Sequence, residues 1–192
     1  MSLDLPPELE WAINLIGLPW PGIEEDQLRE YATHLRTYAS ALTSTHADAR
    51  ATVLALSAEN YGESIEAVVD RWGHMSSNHI QELVAGCNGF ADALEVVADA
   101  VVTAKVGIIV ALTAMVAEFV ADQAAAVATF GIAEFATVAI VGTTRWIVKG
   151  LLNQLEQVVI AGALQIALTP LENKLEEAIT GLALHGVEAA LS

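Results

Sequence analysis

The sequence predicts an all-α protein, an elongated antiparallel helical hairpin or bundle built from long helices. Three observations carry this prediction. Apolar residues recur at alternating three- and four-residue steps over runs far longer than a strand. The chain is 54% hydrophobic but only 6% aromatic, a small-aliphatic composition that suits closely packed helices better than a sandwich or barrel. Its 13 glycines and 5 prolines are too few and too scattered for a turn-rich β fold.

Residues 1–22 read as an N-terminal helix followed by a Pro-Trp-Pro turn. Pro6 and Pro7 suit a first helical turn, and Asp4 is a candidate cap. Leu9, Ile13 and Ile16 fall on one face, with Trp11 and Leu15 beside it. Gly17 ends the helix, and Leu18-Pro19-Trp20-Pro21-Gly22 makes a rigid turn. A tryptophan between two prolines is expected to plug a groove on the adjacent bundle.

Residues 23–100 read as a helical hairpin. Its first arm, 24–59, opens on Glu24, Glu25 and Asp26, which complement the helix dipole. Leu28, Tyr31, Leu35, Tyr38, Leu42, Thr45, Ala49, Thr52 and Leu56 follow as a heptad seam. The chain turns at Asn60, Tyr61 and Gly62, because glycine and asparagine stop a helix and tolerate left-handed backbone. The second arm, 63–100, repeats the acidic start with Glu63, Glu66 and Asp70. Its stripe runs Ile65, Val69, Trp72, Ser76, Ile80, Leu83, Cys87, Phe90, Leu94, Val97 and on to Val101. Trp72 is expected to pack across the hairpin. Gly86 and Gly89 are weak spots or places where another helix comes close.

Residues 101–192 form an apolar helical region packed on, or extending, the same bundle. The uncharged gaps Val106–Ala117, Gln123–Ala133 and Phe135–Thr144 each fall short of the roughly 18–20 residues that cross a bilayer. A helix to Phe130, a turn near Gly131 and a helix from Ile132 to Leu168 are expected. Pro170 breaks that helix, and Thr169 caps a last one ending near Gly186.

Charge and motifs exclude whole classes of function. The net charge of −16 argues against nucleic acid, which needs basic patches, and against retention on anionic lipid by charge alone. A single cysteine, Cys87, precludes an internal disulfide or a multi-cysteine zinc site, and its place on a helical stripe suggests a buried, inert thiol. His74 and His79 are five apart, a poor match to the i, i+4 metal pair. Neither a nucleophile elbow nor a phosphate-binding or dinucleotide fingerprint occurs. The carboxylates sit at helix starts or on polar faces. No catalytic, cofactor-binding or metal residue is assigned, and a non-enzymatic protein is expected.

The order "PPELEWAINLIGLPWP", an acidic helix start, a long helix, "NYGESIEAVVDRW" and a long apolar helix resembles a known family. It is similar to the WXG-like N-terminal domains of actinobacterial polymorphic toxins, the CpnT-like domains among them. The resemblance implies an all-α fold and a trafficking module for a toxin in type VII (ESX) secretion. It implies pairing with a second copy or a small helical WXG-like partner, and a downstream toxin domain. It also implies a secreted or cell-envelope location without a cleaved signal peptide, after a cytoplasmic stage. Asn60 stands where the family's turn carries tryptophan, while Gly62 matches its glycine. No tyrosine is followed four residues later by an acid, as the family's export signal requires. The resemblance therefore implies a partner that supplies the missing signal, or another use for this copy. Trp11, Trp20 and Trp72 are the candidate packing and interaction anchors. Channel formation by the family's named member makes residues 101–168 a candidate membrane-inserting region.

Overall fold

The computed structural model describes residues 2–77, 79–129 and 138–165. Its elements are a 3-10 turn (Pro7–Leu9), α1 (Glu10–Ile16), α2 (Glu25–Glu59), α3 (Glu63–Ser77), α4 (His79–Thr129) and α5 (Val138–Gln165). The protein is all-α, with no strand among the described residues. The expected turn near Gly131, the Thr169 cap and the last helix lie outside the described residues.

The chain divides into two compact units. One joins residues 1–28 to 96–162, and the other contains residues 29–95. Helices α2 and α4 each contribute to both.

In the first unit the preface is a lid of apolar side chains. Pro6 precedes the 3-10 turn and its carbonyl accepts the Leu9 N–H at 2.9 Å; no side chain caps this start, so Asp4 does not serve as the cap. Helix α1 ends at Gly17 in left-handed backbone, φ 64°, where its N–H reaches the carbonyls of Ile13 and Asn14, each at 3.1 Å. Leu9, Ala12, Ile13 and Ile16 are buried against Ile108, Leu112 and Met115 of α4 and Val148 of α5. Each large aliphatic side chain so covered contributes about 1.5–3 kcal/mol. A smaller cluster joins Val101 and Ala104 to Leu155. Gly107 is where α4 and α5 come close: a Cβ there would lie 2.9 Å from Leu151 Cδ1. Gly86 and Gly89 have open space instead, so the close approach read from sequence falls elsewhere on α4.

In the second unit α2 runs antiparallel to α3 and the start of α4. Arg36 reaches Asp92 and Glu95, while His46, ten residues on, reaches Ser76 and Trp72. Leu28, Leu35, Leu42 and Ala49 keep their expected places as half-buried seam residues, but the alternate positions of the seam are displaced by one residue. Ala32 and Ala39 are buried, whereas Tyr31 and Tyr38 are 60% and 54% exposed. On α4, Ala91 is buried and Phe90 is exposed; Val84 is half-buried and Leu83 exposed. Thr45, Thr52 and Leu56 are also exposed. The physical reason is size: a methyl group at the contact lets two helices approach, while a tyrosine keeps its hydroxyl in water and lays its ring along the rim. The buried apolar residues described in this unit are Ala32, Ala39, Ala91 and Ala93, all alanine.

Candidate interaction surface

The hairpin turn is built by three residues with separate tasks. Asn60 Nδ2 donates to the Leu56 carbonyl at 3.0 Å and closes the end of α2. Tyr61 is 93% exposed. Gly62 holds φ at 133°, a value that side chains resist, and its carbonyl accepts the N–H groups of Ile65 and Glu66 to start α3.

The three tryptophans read as anchors occupy different settings. Trp11 is 44% exposed, with its ring 5.9 Å from that of Phe119 in a tilted pair. Trp20 packs half-buried on the first core, its ring 5.9 Å from Lys105 Nζ. Trp72 stacks on His46 at 6.0 Å between centroids, and its Nε1 is buried with no hydrogen-bond partner among the described residues. Trp146, which the sequence did not single out, is the most uncovered of the four at 77%. Cys87 is half-buried rather than buried.

Moving the seam onto alanine leaves the larger side chains at its edge. Tyr31, His34, Leu35 and Tyr38 of α2 face Phe90 and Leu94 of α4 across an open apolar groove of about 420 Å³. Heptad spacing alone suggested this stripe but assigned its tyrosines to the seam. The local signal for the correct register was the alanine following each aromatic, at 32, 39 and 91.

Between the same two helices, Arg36 Nη2 donates to Asp92 at 2.6 Å and to Glu95 at 3.0 Å, and Nη1 donates to the other Glu95 oxygen. The hydrogen bonds to Glu95 and then Asp92 raise the guanidinium's affinity for its proton, and Arg36 holds the Glu95 carboxyl below its ordinary value. All three groups are partly exposed, so solvent screens the cluster and its value lies in fixing the register of the arms.

Glu25 has a partner that helix-dipole reasoning missed. Lys105 Nζ donates to Glu25 Oε2 at 2.7 Å, with both side chains 3% exposed, and the Leu3 N–H donates to Oε1. Desolvation pushes the Glu25 carboxyl up. The hydrogen bonds from Lys105, Leu3 and its own amide, together with the Lys105 charge, outweigh desolvation and hold it below its ordinary value. The lone cation in the apolar stretch of α4 is thereby neutralised internally.

Among the described residues no group of three or more His, Cys, Asp or Glu side chains is placed to hold a metal ion. Long helices folded back on a three-residue turn and closed by a small-residue seam define a helical-hairpin module. The chain belongs to the WXG100-like family: the WXG100 like domain matches residues 5–145. No curated protein and no solved structure matches it. That family supplies helical secreted-protein modules of type VII secretion, whose members typically self-associate or pair as helical hairpins.

Proposed function

We propose that this chain is a non-enzymatic module that accompanies or delivers a polymorphic toxin through a type VII (ESX) secretion system by helix–helix partner binding. One observation carries the reading. Residues 29–95 bury only alanine among their described apolar side chains, while Tyr31, Tyr38, Leu83 and Phe90 stay uncovered. A helix pair closed in this way gains little from its own core and leaves a stripe that a partner helix can cover. In this reading the protein is cytoplasmic before export through the ESX system. Asn60 in place of the turn tryptophan fits a module whose partner completes the export signal. The test is export from an ESX-competent host. The wild-type chain should reach the culture filtrate in an ESX-dependent way, and Tyr31→Ser with Tyr38→Ser should retain it in the cell at unchanged intracellular level. Equal export of both, or export without the ESX system, contradicts the reading.

A second reading, a membrane-inserting, channel-forming translocation domain, is favoured by α4 and α5. Ile80–Gln123 and Val138–Gln165 are long and apolar enough to cross a membrane by length and composition. The uncharged gaps alone are too short, but α4 runs unbroken through Lys105. Only 33% and 11% of their most apolar windows are buried, so both helices keep uncovered apolar surface. Acidic side chains that lose their charge at low pH lower the cost of inserting a helix. Liposome leakage that rises with acidity is the expected result under this reading; intact vesicles at every pH contradict it.

A further inference from the structure

Another hollow in the hairpin, sharing no residue with the tyrosine groove, has a different chemistry. It is a cleft of about 340 Å³ between α2 and α3. His46, Arg50 and Val53 fall at i, i+4 and i+7 on α2, and Val69, Trp72, Gly73 and Ser76 follow the same helical spacing on α3. Val53, Leu54, Val69 and the Trp72 ring give it apolar walls. Its polar side chains are mostly donors that lack an acceptor. Arg50 is exposed and has no ion pair or hydrogen bond among the described residues. His46 Nε2 and Ser76 Oγ lie 2.5 Å apart. A neutral imidazole and a hydroxyl hold two donor hydrogens between them, and their mutual bond uses one, so the pair keeps one to give in either tautomer. The Trp72 Nε1–H is a further donor, buried without an acceptor among the described residues. Gln81 of α4, which both donates and accepts, is the remaining polar side chain of the lining. Among the described residues no acid lines the cleft. The charged residues Asp48, Asp70, Arg71 and Glu82 stand within two positions of lining residues in sequence, and none of them lines it; Asp70 borders a separate hollow at the hairpin turn. Gly73 has no packing reason to be glycine, since a Cβ there meets nothing within 4 Å. A glycine inside a helix weakens it relative to alanine, and what this one keeps open is the cleft.

We infer that this cleft binds a carboxylate carried on a small apolar body, with Arg50 as the charge partner, the His46–Ser76 pair as a second donor, and Val53, Val69 and Trp72 around the body. Charge decides the class of ligand. One guanidinium balances one carboxylate, whose two oxygens match its paired N–H groups, whereas a phosphate dianion asks for more positive charge than Arg50 alone offers. The chain's net charge of −16 opposes each added negative charge and so favours a monoanion. A carboxylate oxygen is also the kind of acceptor that the Trp72 N–H lacks. The apolar walls favour a body of ring or branched-alkyl size over a bare ion. Two sources offer this chemistry: a free organic acid, and the terminal carboxylate of a peptide ending on an apolar residue. The cleft and the tyrosine groove are separate sites, so failure here leaves the partner-helix reading standing.

The experiment is an NMR titration of the full, isotope-labelled chain at neutral pH and physiological salt. The probes are phenylpropanoate and its amide, an acetylated tripeptide ending in leucine as acid and as amide, and inorganic phosphate. The expected result is that one of the two acids binds at least about tenfold tighter than its own amide and than phosphate. Which acid binds identifies the source. Arg50→Gln should weaken that acid about tenfold or more at unchanged helical circular dichroism. Gly73→Leu, which fills the cleft with a better helix former, should abolish binding of the acid. Arg50 is exposed and the space at Gly73 is open, so neither substitution removes packing. Should Gly73→Leu lose helix, Arg50→Gln alone decides. Equal affinity for an acid and its amide overturns the inference, as does phosphate binding as tightly as either acid. Acid binding indifferent to Arg50→Gln, or to a folded Gly73→Leu, also overturns it, and so does the absence of binding by every probe.

Discussion

At the scale of single residues, the buried ion pair of the first unit is one that no local pattern announces. Glu25 looks like a dipole-complementing acid at a helix start, and it does stand there, yet its carboxylate is buried against Lys105, 80 residues away. Sequence spacing cannot reveal a pairing that only the packed preface brings together. Lys105→Met should cost about 3–5 kcal/mol, because it strands a buried carboxylate, while Glu25→Gln with Lys105→Met should recover most of that loss. Urea unfolding at neutral pH checks both. The pH dependence has a definite sign. Since the folded state holds the Glu25 carboxyl below its ordinary value, its stabilising contribution is complete above the ordinary range near pH 4–5 and is lost as pH falls through the folded value. The stability gap between wild type and the double variant should therefore narrow in acid. Trp72 is a second case. Its indole N–H is buried without an acceptor among the described residues, so Trp72→Phe, which keeps a ring against His46, should leave stability within about 1 kcal/mol of wild type.

At the scale of elements, the long helices and the turn between them are legible because they rest on strong local signals. Acids open α2 and α3, apolar residues recur with helical period, and Asn60-Tyr61-Gly62 interrupts them. The rotation of each helix is less legible. Heptad counting favours the largest apolar residue near each seam position, and tyrosine competes with the alanine beside it; close approach of two backbones decides for alanine. The same competition hid the approach at Gly107, one glycine among several that look alike in sequence. Ala39→Leu should force the arms apart and cost about 1–3 kcal/mol, whereas Tyr38→Ser should change stability by less than about 0.5 kcal/mol. Thermal or urea melts of the two variants separate these registers, since a seam on Tyr38 reverses the order of the two losses.

At the scale of the whole molecule, apolar surface is unevenly distributed. The unit formed by residues 1–28 and 96–162 buries Ile16, Val101, Ile108, Leu112, Met115 and Val148, while the fully buried apolar side chains described in residues 29–95 are alanines, with Leu35, Leu42 and Trp72 half-buried beside them. Composition foretold an all-α chain rich in small aliphatic residues, but it could not say which stretch holds the larger core. The preface looks peripheral in sequence and proves to be one wall of that core. A hairpin closed mainly by alanine opens more readily than a unit locked by isoleucine, leucine and methionine, because fewer apolar contacts are lost on opening. The direct test is native-state hydrogen exchange on the intact chain, read by peptide along α1, α2, α4 and α5. Two levels of protection are expected: high in α1 and in α4 around Ile108 and Leu112, and clearly lower along α2 beyond Arg29 and through the start of α4 as far as Glu95. Uniformly high protection across both would mean that the hairpin is complete without a partner, and would contradict the claim.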